Sequence, residues 1–158
     1  MEKKIMHVLS GIIFGGTGFF LGGKILVNMI NDYKMRMERN QSNMMIFNDW
    51  LKYIYSGGKV EQYFQNHGYG SIMIYGNGYI GIRLKQALLE TDIRIVAVMD
   101  KTVSSGENDM VIGIDSKIPN VDCIVVTPVF YYKEIHSMLQ KRTKIPIVSV
   151  SEIWEENI

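Results

Sequence analysis

The residues best placed to do chemistry in this chain are glycines. Ser71-Ile-Met-Ile-Tyr75 is a short apolar run that leads directly into Gly76-Asn77-Gly78-Tyr79-Ile80-Gly81, and Ile80, Leu84 and Leu88 then recur at helical spacing up to Glu90. A strand, a G-x-G-x-x-G turn and a helix in that order make a cradle for phosphate. Gly76 permits the tight turn, Gly78 lets a phosphate come close to the backbone, and Gly81 lets helix and strand pack together. The start of the helix adds N–H groups that have no intrahelical acceptor and favour an anion. Gly76, Asn77, Gly78, Tyr79 and Ile80 are therefore expected to contact a diphosphate, with Gly81 completing the cradle. Arg94-Ile-Val-Ala-Val-Met99 reads as a second buried strand and ends in Asp100, 24 positions after Gly76, where a carboxylate accepts from ribose hydroxyls. Asp100 would repel a 2′-phosphate, so NAD is expected over NADP. The alternative is a scaffold in which the glycines only form the turn and Asp100 only caps its strand.

The segments that must position these residues read as a small α/β unit. Val111–Ile114, Asp122–Thr127 and Ile145–Val150 are further strand candidates, Tyr131–Lys141 is helical, and Ser151 is a plausible cap for a short terminal helix. Thr127 and Pro128 fall at a strand's carboxyl end, where ligands of open α/β sheets bind, and Thr127 joins the candidate site on that ground. Upstream, Met44, Phe47, Leu51 and Ile54 form one apolar stripe on a helix that Ser56-Gly57-Gly58 ends, and Val60–Asn66 reads as a second short helix. Trp50, Tyr53 and Tyr55 read either as an interfacial belt or as packing against the following domain. His67 is expected in a solvated turn and His136 on a helix, and neither is assigned catalysis.

A second glycine cluster lies near the amino terminus. Residues 5–23, IMHVLSGIIFGGTGFFLGG, hold no Asp, Glu, Lys or Arg, and Lys3, Lys4 and Lys24 flank them. At 1.5 Å per residue this run nearly matches a hydrocarbon core of about 30 Å, and the snorkelling of Lys24 extends it through Val27. Gly11/Gly15 and Gly18/Gly22 are two G-x-x-x-G pairs, a face through which another helix can approach. Other readings are a buried hydrophobic hairpin, a signal peptide and a nucleotide loop. The last is weakened by Ile25, which stands where a P-loop needs Ser or Thr for magnesium. Lys24, Lys34, Arg36 and Arg39 follow the segment, so the positive-inside rule leans towards a cytoplasmic carboxyl side.

Composition narrows the function classes. With 158 residues there is room for one compact domain and an appended element, not for two enzyme domains. Seventeen Lys+Arg against sixteen Asp+Glu leave +1, too little charge to hold nucleic acid, so no nucleic-acid partner is expected. The lone Cys123 and three scattered histidines offer no disulfide and no metal motif.

The segments IYGNGYIG, RIVAVMDK, VDCIVVTP and IPIVSVSEIW, together with Trp50-Leu51 and Tyr63-Phe64, resemble a known family. They are similar to small membrane-tethered, Rossmann-like proteins of bacterial capsule and exopolysaccharide loci, often labelled nucleoside-diphosphate-sugar epimerases. The Rossmann segment is also similar to the nucleotide-sugar-binding domains of sugar acyltransferases and to domains that precede membrane-bound sugar dehydratases. The resemblance implies a role in surface polysaccharide biosynthesis with NAD or a UDP-sugar-like nucleotide as ligand. Only 77 residues follow Gly81, and no Tyr-x-x-x-Lys pair occurs among them, so the chain is not expected to be a complete enzyme on its own.

The expected fold class is α/β, a small Rossmann-like parallel sheet with helices on both faces. An amino-terminal transmembrane helix (5–27) and a helical connector (28–70) precede this nucleotide-binding domain (71–158). The expected function is that of a nucleotide- or nucleotide-sugar-binding accessory protein at the cell membrane, single-pass with a cytoplasmic carboxyl-terminal domain. The G-x-x-x-G face would serve a second copy or a glycan-assembly partner. The alternatives are an NAD-dependent enzyme of nucleotide-sugar metabolism and a ligand-free scaffold for membrane partners.

Overall fold

The structure is a computed structural model that describes residues 2–102 and 110–155, and side chains from Gly23 onward. The first helix, α1, runs from Glu2 to Tyr55. The span expected over 5–27 and its glycine pairs thus lie almost entirely outside the described side chains. Among the described residues no helix is long and apolar enough to cross a membrane. The chain divides into two compact units, Met1–Gln41 and Ser42–Ile158. In the first unit the described side chains are exposed, and Asp32–Arg36 (2.9 Å) and Lys34–Glu38 (3.9 Å) form ion pairs one turn apart that favour the helix by a few tenths of a kcal/mol each, as estimated for such pairs.

The second unit is a five-stranded, all-parallel sheet between two helical layers. Its strands are β1 (Ser71–Tyr75), β2 (Arg94–Asp100), β3 (Val111–Gly113), β4 (Cys123–Val126) and β5 (Ile147–Ser149), in the spatial order β3-β2-β1-β4-β5. Strands buried on both sides need no polar alternation, which is why SIMIY and CIVV read as unbroken apolar runs. One layer holds the end of α1 with α2 (Val60–Asn66), α3 (Tyr79–Leu88) and α5 (Glu152–Glu155). These pack on Ile72, Ile74, Val98, Cys123 and Val125. The other layer is α4 (Tyr132–Gln140), which sets Ile135 and Leu139 on Met73, Tyr75, Met99 and Ile124. The β3–β4 connection adds Ile118 and Val121 to that second layer. A register shift between Ile72 and Met73 in the β1–β2 pair leaves Val96 as an extra residue, so Val96 and Ala97 both face the α4 layer.

Of the apolar stripe expected on the end of α1 only Phe47 packs against the core, partly buried, and another face carries the main contact. Ile46, Trp50 and Tyr53 are buried, and the Trp50 ring stacks on Trp154 at 5.4 Å. Met44, Leu51 and Ile54 are exposed. Two apolar faces share this helix, and the one with the larger aromatic surface meets the sheet. Trp50 and Tyr53 are thus core residues, whereas Tyr55 is exposed. Gly58 is fixed by the same contact, because a β-carbon there would overlap the Tyr53 ring. Ser151 precedes α5 and is buried. Its Oγ lies 2.9 Å from Ser149 Oγ, and the Glu152 carboxylate reaches back to accept from Ser149 N at 2.7 Å.

The amino ends of the central strands are tied by Asp122. Its Oδ2 accepts from Ser71 N (2.7 Å), Ser71 Oγ (2.8 Å) and Gly70 N (3.1 Å). These bonds, the Ser71 hydroxyl first, hold its carboxyl below the usual carboxylate range.

Candidate functional site

The carboxyl ends of β1, β2 and β4 bring the candidate residues together. Gly76 leaves β1 at φ +104°, a conformation that side-chain-bearing residues rarely adopt, and its N–H donates to Met99 O at 2.8 Å. A β-carbon on Gly76 would stand 2.6 Å from Thr127 Oγ1 and 2.9 Å from Pro128 Cδ. Gly81, on the first turn of α3, faces the Gly76 carbonyl so closely that a β-carbon there would overlap it. Gly76 and Gly81 are therefore required by the turn and by the seating of the helix.

Gly78 differs from both. It precedes α3 at φ −76°, ψ −171°, extended backbone open to any residue, and a β-carbon on it would meet nothing within 4 Å. No side chain caps the helix start there. The β-carbon position of Gly78 is thus open, next to a helix start whose N–H groups have no side-chain cap, the arrangement an approaching anion needs.

Asp100 closes the floor of the turn. Its Oδ2 accepts from Asn77 N at 2.6 Å, and its Oδ1 accepts from Thr102 N at 2.8 Å. Each oxygen keeps lone-pair capacity for a further donor. Asn77 Oδ1 is buried with no hydrogen-bond partner. Tyr75, buried at the end of β1, has its hydroxyl pKa raised by burial and by the Asp100 charge, an effect that Arg142 partly opposes.

Thr127 lies beneath the turn rather than on its surface. It is buried, and Oγ1 donates to Tyr75 O (3.1 Å) and Gly76 O (3.2 Å), so its hydroxyl fixes the path of the glycine turn. Ile80 turns its side chain into the core. Tyr79 is the exposed side chain of the turn. Its ring meets Phe47 edge-on at 5.0 Å, and the Arg83 guanidinium lies 5.1 Å from its centroid. Arg83 sits one helical turn after Tyr79, so that pair is visible in the sequence. Phe47 is a long-range neighbour that spacing does not indicate.

The arrangement thus sets N–H donors at a helix start beside the Asp100 carboxylate, which suits a ligand bearing a diphosphate and a diol. Two cavities lie at the other end of the sheet. One, of about 450 Å³, is lined by His136, Gln140 and Thr143–Ile147, and the other, of about 710 Å³, by Lys117–Asn120 and Thr143–Ile145. Among the described residues no group of three His, Cys, Asp or Glu side chains converges on a metal position.

No family model, curated protein or solved structure matches the chain.

Proposed function

We propose that the turn from Gly76 to Gly81 binds the diphosphate of NAD or of a UDP-sugar-like nucleotide. On this reading the chain serves as a membrane-anchored accessory protein of surface polysaccharide biosynthesis. The observation that carries it is Gly78. Two glycines of the turn are needed by the fold, whereas the third sits in open space with ordinary dihedral angles. Its missing side chain has a use only when something else approaches the backbone. Asp100 then receives the ribose hydroxyls on its remaining lone pairs. Residues 5–27 hold the chain in the membrane, with the domain on the cytoplasmic side. The test is mass spectrometry of small molecules released from the detergent-extracted full chain. A nucleoside diphosphate species near one per chain is expected, and a ligand without a diphosphate overturns the reading. Turnover of a UDP-sugar with NAD by the purified chain overturns the accessory role in favour of an enzyme.

A second reading is a scaffold without a ligand. It is favoured by one observation, that both Asp100 oxygens already accept backbone N–H groups of the chain itself. Its test is protection of the Asn77 and Thr102 amides from hydrogen exchange. A scaffold gives the same protection with and without added NAD or UDP-sugar, and a binding site gives more with it.

A further inference from the structure

The glycine turn carries no basic side chain. From Gly76 to Ile82 the chain holds neither Lys nor Arg, and the carboxylate bound to the turn is that of Asp100. A diphosphate brought to the start of α3 adds its own negative charge beside that carboxylate, a repulsion that the partial charges of the helix N–H groups offset only in part. A cation is needed close by. The first basic residue of α3 is Arg83.

Arg83 lies five residues beyond Gly78, but its guanidinium reaches back towards the turn. Side chains on an α-helix tilt towards the amino end. The Arg83 guanidinium accordingly lies over the ring of Tyr79, the residue directly after Gly78, 5.1 Å from its centroid, with Nη2 3.5 Å from the Tyr79 hydroxyl. Two further contacts fix this position. Nη1 donates to Gln86 Oε1 at 2.7 Å, and the Tyr79 ring is braced edge-on by Phe47 at 5.0 Å. An exposed arginine ordinarily samples many rotamers, whereas this one is seated between a ring and an amide. Neither neighbour neutralises it. Among the described residues the ion pairs are Asp32–Arg36, Lys34–Glu38 and Asp49–Lys52, and none involves Arg83. A guanidinium presents a planar fork of N–H donors, and these contacts leave donors for an anion.

We propose that Arg83 is the residue by which this site selects a diphosphate: its guanidinium pairs with the phosphate oxygens that reach the start of α3, and Tyr79 and Gln86 hold it in place for that contact. The inference rests on the nucleotide reading of the turn and narrows it, because Arg83 reads the charge of the ligand at Gly78 and not its base or sugar.

Calorimetric titration of the detergent-extracted full chain with NAD and with UDP-glucose, each at low and high NaCl, tests this role. The parent chain should bind one of the two with a Kd that rises as salt is added. Arg83→Gln should raise that Kd about 10-fold or more and flatten its salt dependence, because the screened charge pair is gone. Arg83→Lys keeps the charge and loses the fork, so it should recover the salt dependence and only part of the affinity. Lys85→Gln removes the same charge from another face of α3 and should leave the Kd within about twofold. Arg83 is exposed, so far-UV circular dichroism and the urea midpoint should not move in its variants. Parent-like affinity and salt dependence in Arg83→Gln, or equal losses at Arg83 and Lys85, overturn the role of Arg83 and leave the nucleotide reading standing. A folded parent chain that binds neither ligand overturns both.

Discussion

Gly76 and Gly81 face each other across a gap that no β-carbon fits, so an alanine at Gly81 must push α3 away from the β1 turn. Gly81→Ala is expected to lower stability by about 2–3 kcal/mol. Gly78→Ser meets open space and adds a capping hydroxyl, so the urea midpoint should hold or rise slightly. Equal losses at both positions would show that Gly78 is a folding residue. Titration gives a second prediction at this scale. Burial, with the Glu152 and Asp122 charges adding to it, pushes the Cys123 thiol up to about 12. Burial and then Glu152 push the Tyr132 hydroxyl to about 12 as well. An unfolded thiol ionises near 8.5. The folded chain therefore keeps protons that the unfolded chain releases, and the contribution is complete below about pH 8.5 and lost as the pH rises towards 12. Urea unfolding should show stability falling above pH 9, by at most about 1.4 kcal/mol per pH unit for Cys123. Cys123→Ala should make that fall shallower, and an unchanged slope would count against this assignment.

Elements that bury one dominant face were legible before any coordinates, because apolar runs such as SIMIY and CIVV between glycine-rich turns leave few alternatives. The glycine turn was equally legible, since its spacing carries the geometry. The end of α1 was not. Met44, Phe47, Leu51 and Ile54 make the cleaner periodic stripe, but Ile46, Trp50 and Tyr53 reach the core, where Trp50 stacks on Trp154 more than a hundred residues later. Periodicity ranks faces by their apolar positions and does not say which partner each face meets. Thr127 was placed correctly at the end of β4, but the direction of its hydroxyl, down to the Tyr75 and Gly76 carbonyls, depends on contacts fifty residues apart. The choice of face can be measured: Trp50→Ala should cost about 3–5 kcal/mol, and Met45→Ala, exposed and off the core face, no more than about 0.5 kcal/mol. Comparable costs at the two sites would mean that the faces are misassigned.

For the molecule as a whole, the strand order β3-β2-β1-β4-β5 places the β1 turn near the middle of the sheet, next to the point where the chain crosses from one side of β1 to the other. Ligands of open parallel sheets bind at such reversals. Among the described residues the sheet ends at β5. The outward Ile147 carbonyl accepts from the Tyr132 hydroxyl at 3.1 Å, and the outward Ser149 N–H donates to Glu152 at 2.7 Å, so the edge is closed by side chains instead of a sixth strand. Tyr132→Phe combined with Glu152→Ala should expose that edge and raise concentration-dependent aggregation in light scattering, while aggregation equal to the parent would indicate that the edge needs no such cover. On the proposed reading, backbone N–H groups and the Asp100 carboxylate would recognise a diphosphate and its ribose. The most direct test is calorimetric titration of the detergent-extracted full chain and its Gly78→Val variant with NAD and with UDP-sugars. One ligand should bind at one site per chain and lose its affinity in the folded variant. Binding that the variant retains in full, or no binding of any of these ligands by the folded parent, would contradict the assignment.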